Sequence, residues 1–468
     1  MRWLERYVDS QDLSPLEAAY RGVGSAAHRP DLLLKIALYE TLEGRLSPAR
    51  WARDVKDSVV LLWLGRGLTP SRTALYNFRD RLGGLIQELH ARMVGQALHE
   101  GLIAPHEGVL DGTTTRACAS RHRLVNRSVL ERRIGELQAT QALDQGGRSP
   151  ETVPGWMAKT PHGRQEQGQR LAQAKETLDR RLQENVQRPK NKRLEESKVT
   201  VSTSDPEAVP GRDKEKTFCP LYTSQFVVDA DALVVVAFEV FAQASDAGTL
   251  GPMLDRSAEV LGYSLDALTA DAGYASLLDI MECRKRAVEL YAPVQENEFT
   301  EKKRAAQPSQ RLEREQFTWH AEEQTYECPQ GHRLEHKGQE RKHRRGNLEV
   351  IEHRYQCSPE HCRGCPLRER CVSNPDKGRI VKRLEGQELL DDQRAKMKTP
   401  EGEARRKRRS QIIERAFADA KEHRNLRKLH GRGLKRARAE VGLVVLAQTA
   451  LMIQRLRQAR ANASENSS

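Results

Sequence analysis

KTFCPLYTSQFVVDADALVVVAFEVF, residues Lys216–Phe241, decides the fold. Its runs YTSQFVVDA and LVVVAFEVF are β-branched and aromatic, and the intervening Asp229-Ala230-Asp231 suits a turn, so the stretch predicts a pair of buried strands. Downstream, GPMLDRSAEVLGYSLDAL supplies a helix, ALTADAGYAS enters another short strand and LYAPVQ fits one more. Upstream, EGVLDGTTTRACAS sets a short apolar lead before Asp111 and Gly112, then a threonine run of β propensity. Strand, strand, strand, helix, strand, helix predicts an α/β domain with a mixed sheet, a fold in which carboxylates distant in sequence can converge. Asp271, at the strand exit in LTADAGYASLLDI, has three readings: it holds a metal, accepts a backbone hydrogen bond, or faces water.

The flanks differ in character. DLLLKIALYETLEGRLSPARWARDVKDSVVLLWLGRG and TPSRTALYNFRDRLGGLIQELHARMVGQALHEGLI show apolar residues at intervals of three and four, which predicts an all-helical N-terminal domain over residues 1–104. Its many arginines suit DNA binding, although periodicity does not demonstrate a helix-turn-helix. Residues 121–200 are rich in Arg, Glu, Gln and Lys and predict a charged helical insertion, a solvated arm. Cys118 is expected to pack beside the first strand. The α/β domain is expected over 105–295 and 400–458, with a charged stretch, EKKRAAQPSQRLEREQ, before a cysteine-rich subdomain at 320–375.

The formal net charge is +13, which favours a polyanionic partner, DNA or RNA first. MRWLERYVDSQDLSP lacks the apolar core of a secretory signal, and VGLVVLAQTALMIQRL, from Val441, reads as too short to span a membrane. An intracellular chain without a membrane association is therefore expected. Of eight cysteines, Cys328, Cys357, Cys362, Cys365 and Cys371 are crowded together, and in a reducing compartment such crowding favours a metal over disulfides. Four thiolates suit tetrahedral Zn²⁺, leaving one spare; His332, His353 and His361 are also eligible, and an iron–sulfur cluster or reduced structural cysteines are the alternatives.

RRKRRSQIIERAFADAKEHRNLRKL has the composition of a surface helix. On regular α geometry Glu414 and Lys421 share nearly one face, about 10 Å apart along the axis. Ile413 and Phe417 share a neighbouring face suited to burial against the sheet. Asp111, Asp271 and Glu414 would together offer hard oxygen ligands to Mg²⁺ or Mn²⁺.

These segments, in this order, resemble the DDE transposases of bacterial insertion sequences, in the group with a helical N-terminal region and a cysteine cluster before the final glutamate. The resemblance runs from DLLLKIALYETLEGRLS and LWLGRGLTPSRTALYNFRDR through LDGTTTRACAS, STSDPEA, PLYTSQFVVDADALVVVAFEVFAQASDAGTLGPML and LTADAGYAS to IIERAFADAK. It implies a ribonuclease-H-like catalytic domain and Mg²⁺-dependent hydrolysis at the element's ends, followed by attack of the released 3′-hydroxyl on target DNA. It assigns Asp111, Asp271 and Glu414 to the metals and Lys421 to transposon-end DNA, while Arg424 and Arg427 are expected at phosphates by charge and position. The implied partners are duplex DNA with terminal inverted repeats, target DNA, and further copies of the chain assembled on DNA in the bacterial cytoplasm. Related transposases often carry tyrosine and arginine seven and four residues before the glutamate; here those places are Lys407 and Ser410. Two other outcomes fit the same residues: a ribonuclease-H-like nuclease without strand transfer, and a catalytically inactive DNA-binding relic.

Overall fold

The computed structural model describes residues 1–18, 27–188, 190–294, 312–343, 349–372 and 374–465. They form two compact units, Met1–Asp246 with Met253–Leu265 and Arg409–Ser468, and Ala247–Pro252 with Asp266–Arg408.

The first unit opens with helices α1 (Arg2–Asp9), α2 (Ser14–Glu17), α3 (Pro30–Leu42), α4 (Pro48–Asp57), α5 (Val59–Leu64), α6 (Arg72–Leu82) and α7 (Ile86–His99). Proline in the first turn of α3 and α4, and Ser58 and Ser71 accepting amide hydrogen bonds at the starts of α5 and α6, set these boundaries. Strand β1 (Glu107–Arg116) follows, then a short pair, β2 (Leu124–Val125) and β3 (Val201–Ser202), enclosing α8 (Arg127–Gln145) and α9 (Pro161–Gln187). β4 (Val209–Arg212), β5 (Phe218–Asp229) and β6 (Val235–Phe241) complete its strands. β5 pairs antiparallel with β1, β4 and β6 and is buried from Cys219 to Asp229, its polar Thr223, Ser224 and Gln225 included. The expected turn into β6 is held by the Asp229 carboxylate, which accepts from the amides of Asp231 (3.3 Å) and Ala232 (3.1 Å).

The insertion is more than the expected solvated arm. Leu130, Leu137, Met157, Leu171 and Leu178 form a private apolar core between α8 and α9. The Arg164 guanidinium, almost fully covered, pairs with both carboxylate oxygens of Asp144 at 2.5 and 2.7 Å and donates to the carbonyls of Ala158 and Lys159. These bonds fasten the connecting loop to the hairpin.

In chain order come α10 (Leu250–Leu261), α11 (Leu277–Lys285), α12 (Pro359–Arg363), α13 (Arg368–Cys371), α14 (Gln387–Met397), α15 (Pro400–Ala418) and α16 (Leu434–Glu465). In the first unit α16 packs against α3, α6, α7 and β6. The short-segment reading at Val441 is thereby corrected: the helix has 32 residues and is long and apolar enough to cross a membrane, but 67% of its most apolar stretch is buried within the protein. His90 joins α7 to this core through Nε2, 2.8 Å from the Val235 carbonyl, and through an edge-on contact with Phe238. Complete burial lowers its pKa to about 4 and keeps the ring neutral.

The second unit contains β7 (Ala267–Thr269) and β8 (Glu289–Tyr291), a parallel pair, with α11 and α14 packed nearby. It also holds a five-stranded antiparallel sheet of β9 (Thr318–His320), β10 (Thr325–Glu327), β11 (Arg333–His343), β12 (Glu349–Cys357) and β13 (Ile380–Leu384), in the order β13-β12-β11-β10-β9. Most of the expected charged stretch before it, through residue 311, lies outside the described residues. The fold class is the expected one: a ribonuclease-H-like mixed sheet flanked by helices, with an all-helical N-terminal region and a cysteine-containing middle segment.

Candidate active site

Asp111 sits mid-strand in β1, opposite Phe226 of β5. Its Oδ1 accepts from the Gly112 amide at 2.7 Å and its Oδ2 from Arg409 Nη2 at 2.7 Å. Both side chains of this ion pair are only partly exposed, 18% and 15%. The glycine after Asp111 is demanded by a close approach: a Cβ there would lie 2.2 Å from Asp246 Oδ1 and 2.4 Å from Gln225 Nε2. Those two side chains are themselves bonded at 2.6 Å, so an amide–carboxylate pair crosses the strand beside Asp111.

Glu414 lies exposed on α15, between two buried residues that anchor the helix, Ile413 and Phe417. The Phe417 ring stands 5.3 Å from that of Phe226, the residue paired with Asp111. Arg409 on one side of Glu414 reaches Asp111, and Lys421 on the other donates to the Thr114 carbonyl of β1 at 3.3 Å. The segment carrying the glutamate is therefore held to the first aspartate's strand at two points, through Arg409 and Lys421, and to the neighbouring β5 through Phe417.

The regular-helix expectation for Glu414 and Lys421 is corrected, because the α-helix ends at Ala418 and Asp419–His423 form a π-helical turn. The wider turn changes the angular relation between the two residues. Burial, with the cations of Lys214 and Arg427 nearby, lowers the Lys421 pKa to about 8. For Arg424 the structure replaces the expected phosphate contact with an internal role. The residue is buried, pairs with Asp419 at 3.2 Å and donates to the Leu42 carbonyl of α3. Arg427 remains half exposed and pairs with Glu422 and Glu215.

Asp271, in the second unit, follows β7 and caps the short 3₁₀ turn Ala272–Tyr274, its Oδ1 accepting from Gly273 N at 2.7 Å. The backbone hydrogen bond among its three sequence readings is present.

The cysteine segment has its own core. Cys357, at the end of β12, Cys362 in α12 and Cys371 at the end of α13 are buried together with Phe317, Tyr326 and Tyr355, and Cys328 packs against them. All five thiols are free, with Cys365 partly exposed. Burial and the neighbouring thiols of Cys362, Cys328 and Cys371 push the Cys357 thiol up to about 12. His332 and His361 stack with ring centroids 4.2 Å apart, while His353 lies against His336. Among the described residues, no three or more His, Cys, Asp or Glu side chains are arranged to hold a metal ion.

Sequence reasoning missed Arg409 and the Gln225–Asp246 pair. RRKRR carries four arginines with nothing in its pattern to single out one, and Asp246 follows β6 in a stretch that reads only as a loop. Ser410, where related transposases often have arginine, is exposed, and the adjacent Arg409 carries the cation.

Residues 327–450 match the family model described as Transposase DDE domain. The matched segment includes the five clustered cysteines, Glu414 and Lys421, and excludes Asp111 and Asp271. No curated protein and no solved structure matches the chain. The family match and the ribonuclease-H-like mixed sheet together link this chain to the DDE-transposase, ribonuclease-H-like superfamily and support a nuclease- or transposase-like activity.

Proposed function

We propose that the chain is a DDE-type transposase that cleaves DNA at the ends of an insertion sequence and joins those ends to target DNA, with Asp111, Asp271 and Glu414 as its acidic residues. The observation that carries this reading is the attachment of the Glu414 segment to the Asp111 strand through Arg409 and Lys421, and to the adjacent β5 through Phe417. The donor set of hard carboxylate oxygens fits Mg²⁺ or Mn²⁺. When bound, such ions would supply charge neutralisation and activation of the attacking oxygen in phosphodiester transfer.

The chain's own groups have distinct tasks in this proposal. The Gly112 amide orients the Asp111 carboxylate, and the Gln225–Asp246 pair fixes the strand beside it. Lys421 and Arg427 contact end-DNA phosphates, whereas Arg424 positions the turn that carries Lys421. The N-terminal helices bind DNA, and copies of the chain assemble on paired ends in the cytoplasm, associated with the nucleoid. Zn²⁺ is held by four of Cys328, Cys357, Cys362, Cys365 and Cys371; the burial of three of these thiols in one core, with Cys328 against it, supports that reading.

The Arg409–Asp111 ion pair favours one alternative, an inactive DNA-binding relic, because a guanidinium on Oδ2 competes with a metal ion. Nicking of duplex DNA carrying the gene's flanking repeats, with Mn²⁺ or with chelator, tests the choice. The proposal expects metal-dependent nicks that are lost in Asp111→Asn and Glu414→Gln. Specific binding without nicking by the folded wild-type protein would establish the relic. Nicks that never proceed to joined products would establish the nuclease without strand transfer.

A further inference from the structure

A polar cavity of about 320 Å³ opens at the base of the helical insertion, away from the Asp111 strand centre. Arg123, Arg133, Arg170, Arg432 and His122 line it together with Trp156, and its lining contains no carboxylate. Four guanidiniums converging without an acid among them is costly unless an anion shares the space. Arg133 is the most constrained member. Its Nε is buried with no hydrogen-bond partner, and its guanidinium lies 5.3 Å from the centre of the Trp156 ring. Burial, together with Arg132 and Arg123, depresses its pKa in spite of the opposing pull of Glu136.

The framework around these cations is fixed. Gln167 donates to the Trp156 carbonyl at 2.9 Å and accepts from the Ala158 amide at 2.8 Å, which holds the Trp156 turn against α9. Arg432 Nε donates to the Cys118 carbonyl at 3.2 Å, and the Arg123 carbonyl accepts from Thr203 N at 3.2 Å. The nearest acidic partner of Arg170 is Glu166, at 3.8 Å on the same helix. The Ser204 and Thr203 hydroxyl groups line the cavity as further polar groups.

We propose that this cavity is an oxyanion site for a backbone phosphodiester of bound DNA, gripped by Arg123, Arg133, Arg170 and Arg432. Guanidiniums match phosphate oxygens in geometry as well as charge, and the volume accommodates a phosphate with its adjoining sugar. The choice of DNA as the source of the phosphate rests on the proposed function. On this view the insertion is a clamp on the DNA flanking the cleaved bond: β1 carries the chain from Asp111 to Arg116 over about 17 Å before it reaches the cavity wall.

The test compares the full-length wild type with Arg123→Gln/Arg133→Gln and with Arg432→Gln, which alters another lining residue, distant in sequence. Arg132→Gln serves as control because Arg132 is exposed and is paired with Glu136 at 3.9 Å. Duplex DNA affinity is measured as a function of salt. Each phosphate neutralised contributes about 0.9 to the log–log slope, so loss of the one phosphodiester held in the cavity is expected to lower the slope by up to about 1 in the double variant and in Arg432→Gln, with the control unchanged. Wild-type DNA binding with equal slopes in all four proteins overturns the pocket and leaves the proposed function standing. If the wild type binds no DNA, the proposed function fails and inorganic phosphate decides the pocket through tryptophan emission. A saturable change that disappears in Trp156→Phe and in the double variant upholds the oxyanion site, and no change overturns it.

Discussion

Replacing Arg409 by glutamine removes a charge from the carboxylate that is proposed to hold metal, and the consequence has a definite sign. The guanidinium donates to Asp111 Oδ2 at 2.7 Å, with the two side chains 15% and 18% exposed. A hydrogen bond to a charged group contributes about 1.5–3 kcal/mol, and residual solvent screening places this one at the low end. A divalent ion must displace that bond and also meet the guanidinium's repulsion. Losing both competitors is worth at least about 1.4 kcal/mol, a tenfold gain in affinity. Mn²⁺ titration followed by electron paramagnetic resonance of the free ion, with wild type, Arg409→Gln and Arg409→Gln/Asp111→Asn, measures it directly. The expected order is tightest binding in Arg409→Gln and loss of that site in the double variant. Equal or weaker Mn²⁺ binding by Arg409→Gln would refute the competition, even if DNA cleavage changed.

Gly112→Ala would place a methyl group 2.2 Å from Asp246 Oδ1, so the Gln225–Asp246 pair must part; a loss of about 1–3 kcal/mol in urea unfolding, with reduced nicking, is expected, and wild-type stability would contradict the packing. Lys421, with its pKa lowered to about 8 by burial and by Lys214 and Arg427 against the opposing pull of Asp213 and Glu215, is charged below that pH and neutral above it. DNA affinity should therefore fall between pH 7 and 9 in the wild type and stay level in Lys421→Arg, as read by fluorescence anisotropy. His90 has a folded pKa of about 4, below the ordinary 6.5, so the unfolded chain takes up the proton first and the stability present above pH 6.5 is lost as pH falls towards 4. Urea midpoints at pH 7, 6 and 5 should fall less steeply in His90→Gln than in the wild type. Zinc analysis of the purified protein is expected to give one ion per chain, lost in Cys357→Ser; a metal-free wild type that retains its fold would make the cluster an apolar core of reduced thiols.

The strands were legible because burial wrote itself into composition. Cys219–Asp229 is buried on both sides of β5 and is correspondingly rich in β-branched and aromatic residues. Ile413 and Phe417 announced the packed face of α15, and Phe417 does meet the sheet at Phe226. Glu414–Lys421 misled because periodicity assumes one helical pitch, whereas the chain widens at Asp419 into a π turn that no local residue type signals. Arg424 misled for a related reason: charge in sequence does not reveal that a guanidinium will be spent on Asp419 and the Leu42 carbonyl. The insertion hid its core because Leu130, Leu137, Leu171 and Leu178 are thinly spread among charged residues and meet only when α8 and α9 fold onto each other. The apolar stretch at Val441 looked short because its helix extends into charged ends, Leu434–Glu465.

Joining of labelled DNA ends to a target duplex, in Mg²⁺ and with the repeats that flank this gene, tests the central claim most directly. The account predicts nicked ends and joined products from the wild type and neither from Asp271→Ala of equal stability and equal DNA affinity. Joined products persisting in Asp271→Ala would contradict the assignment of Asp271, and their absence from wild type despite specific end binding would contradict the transposase.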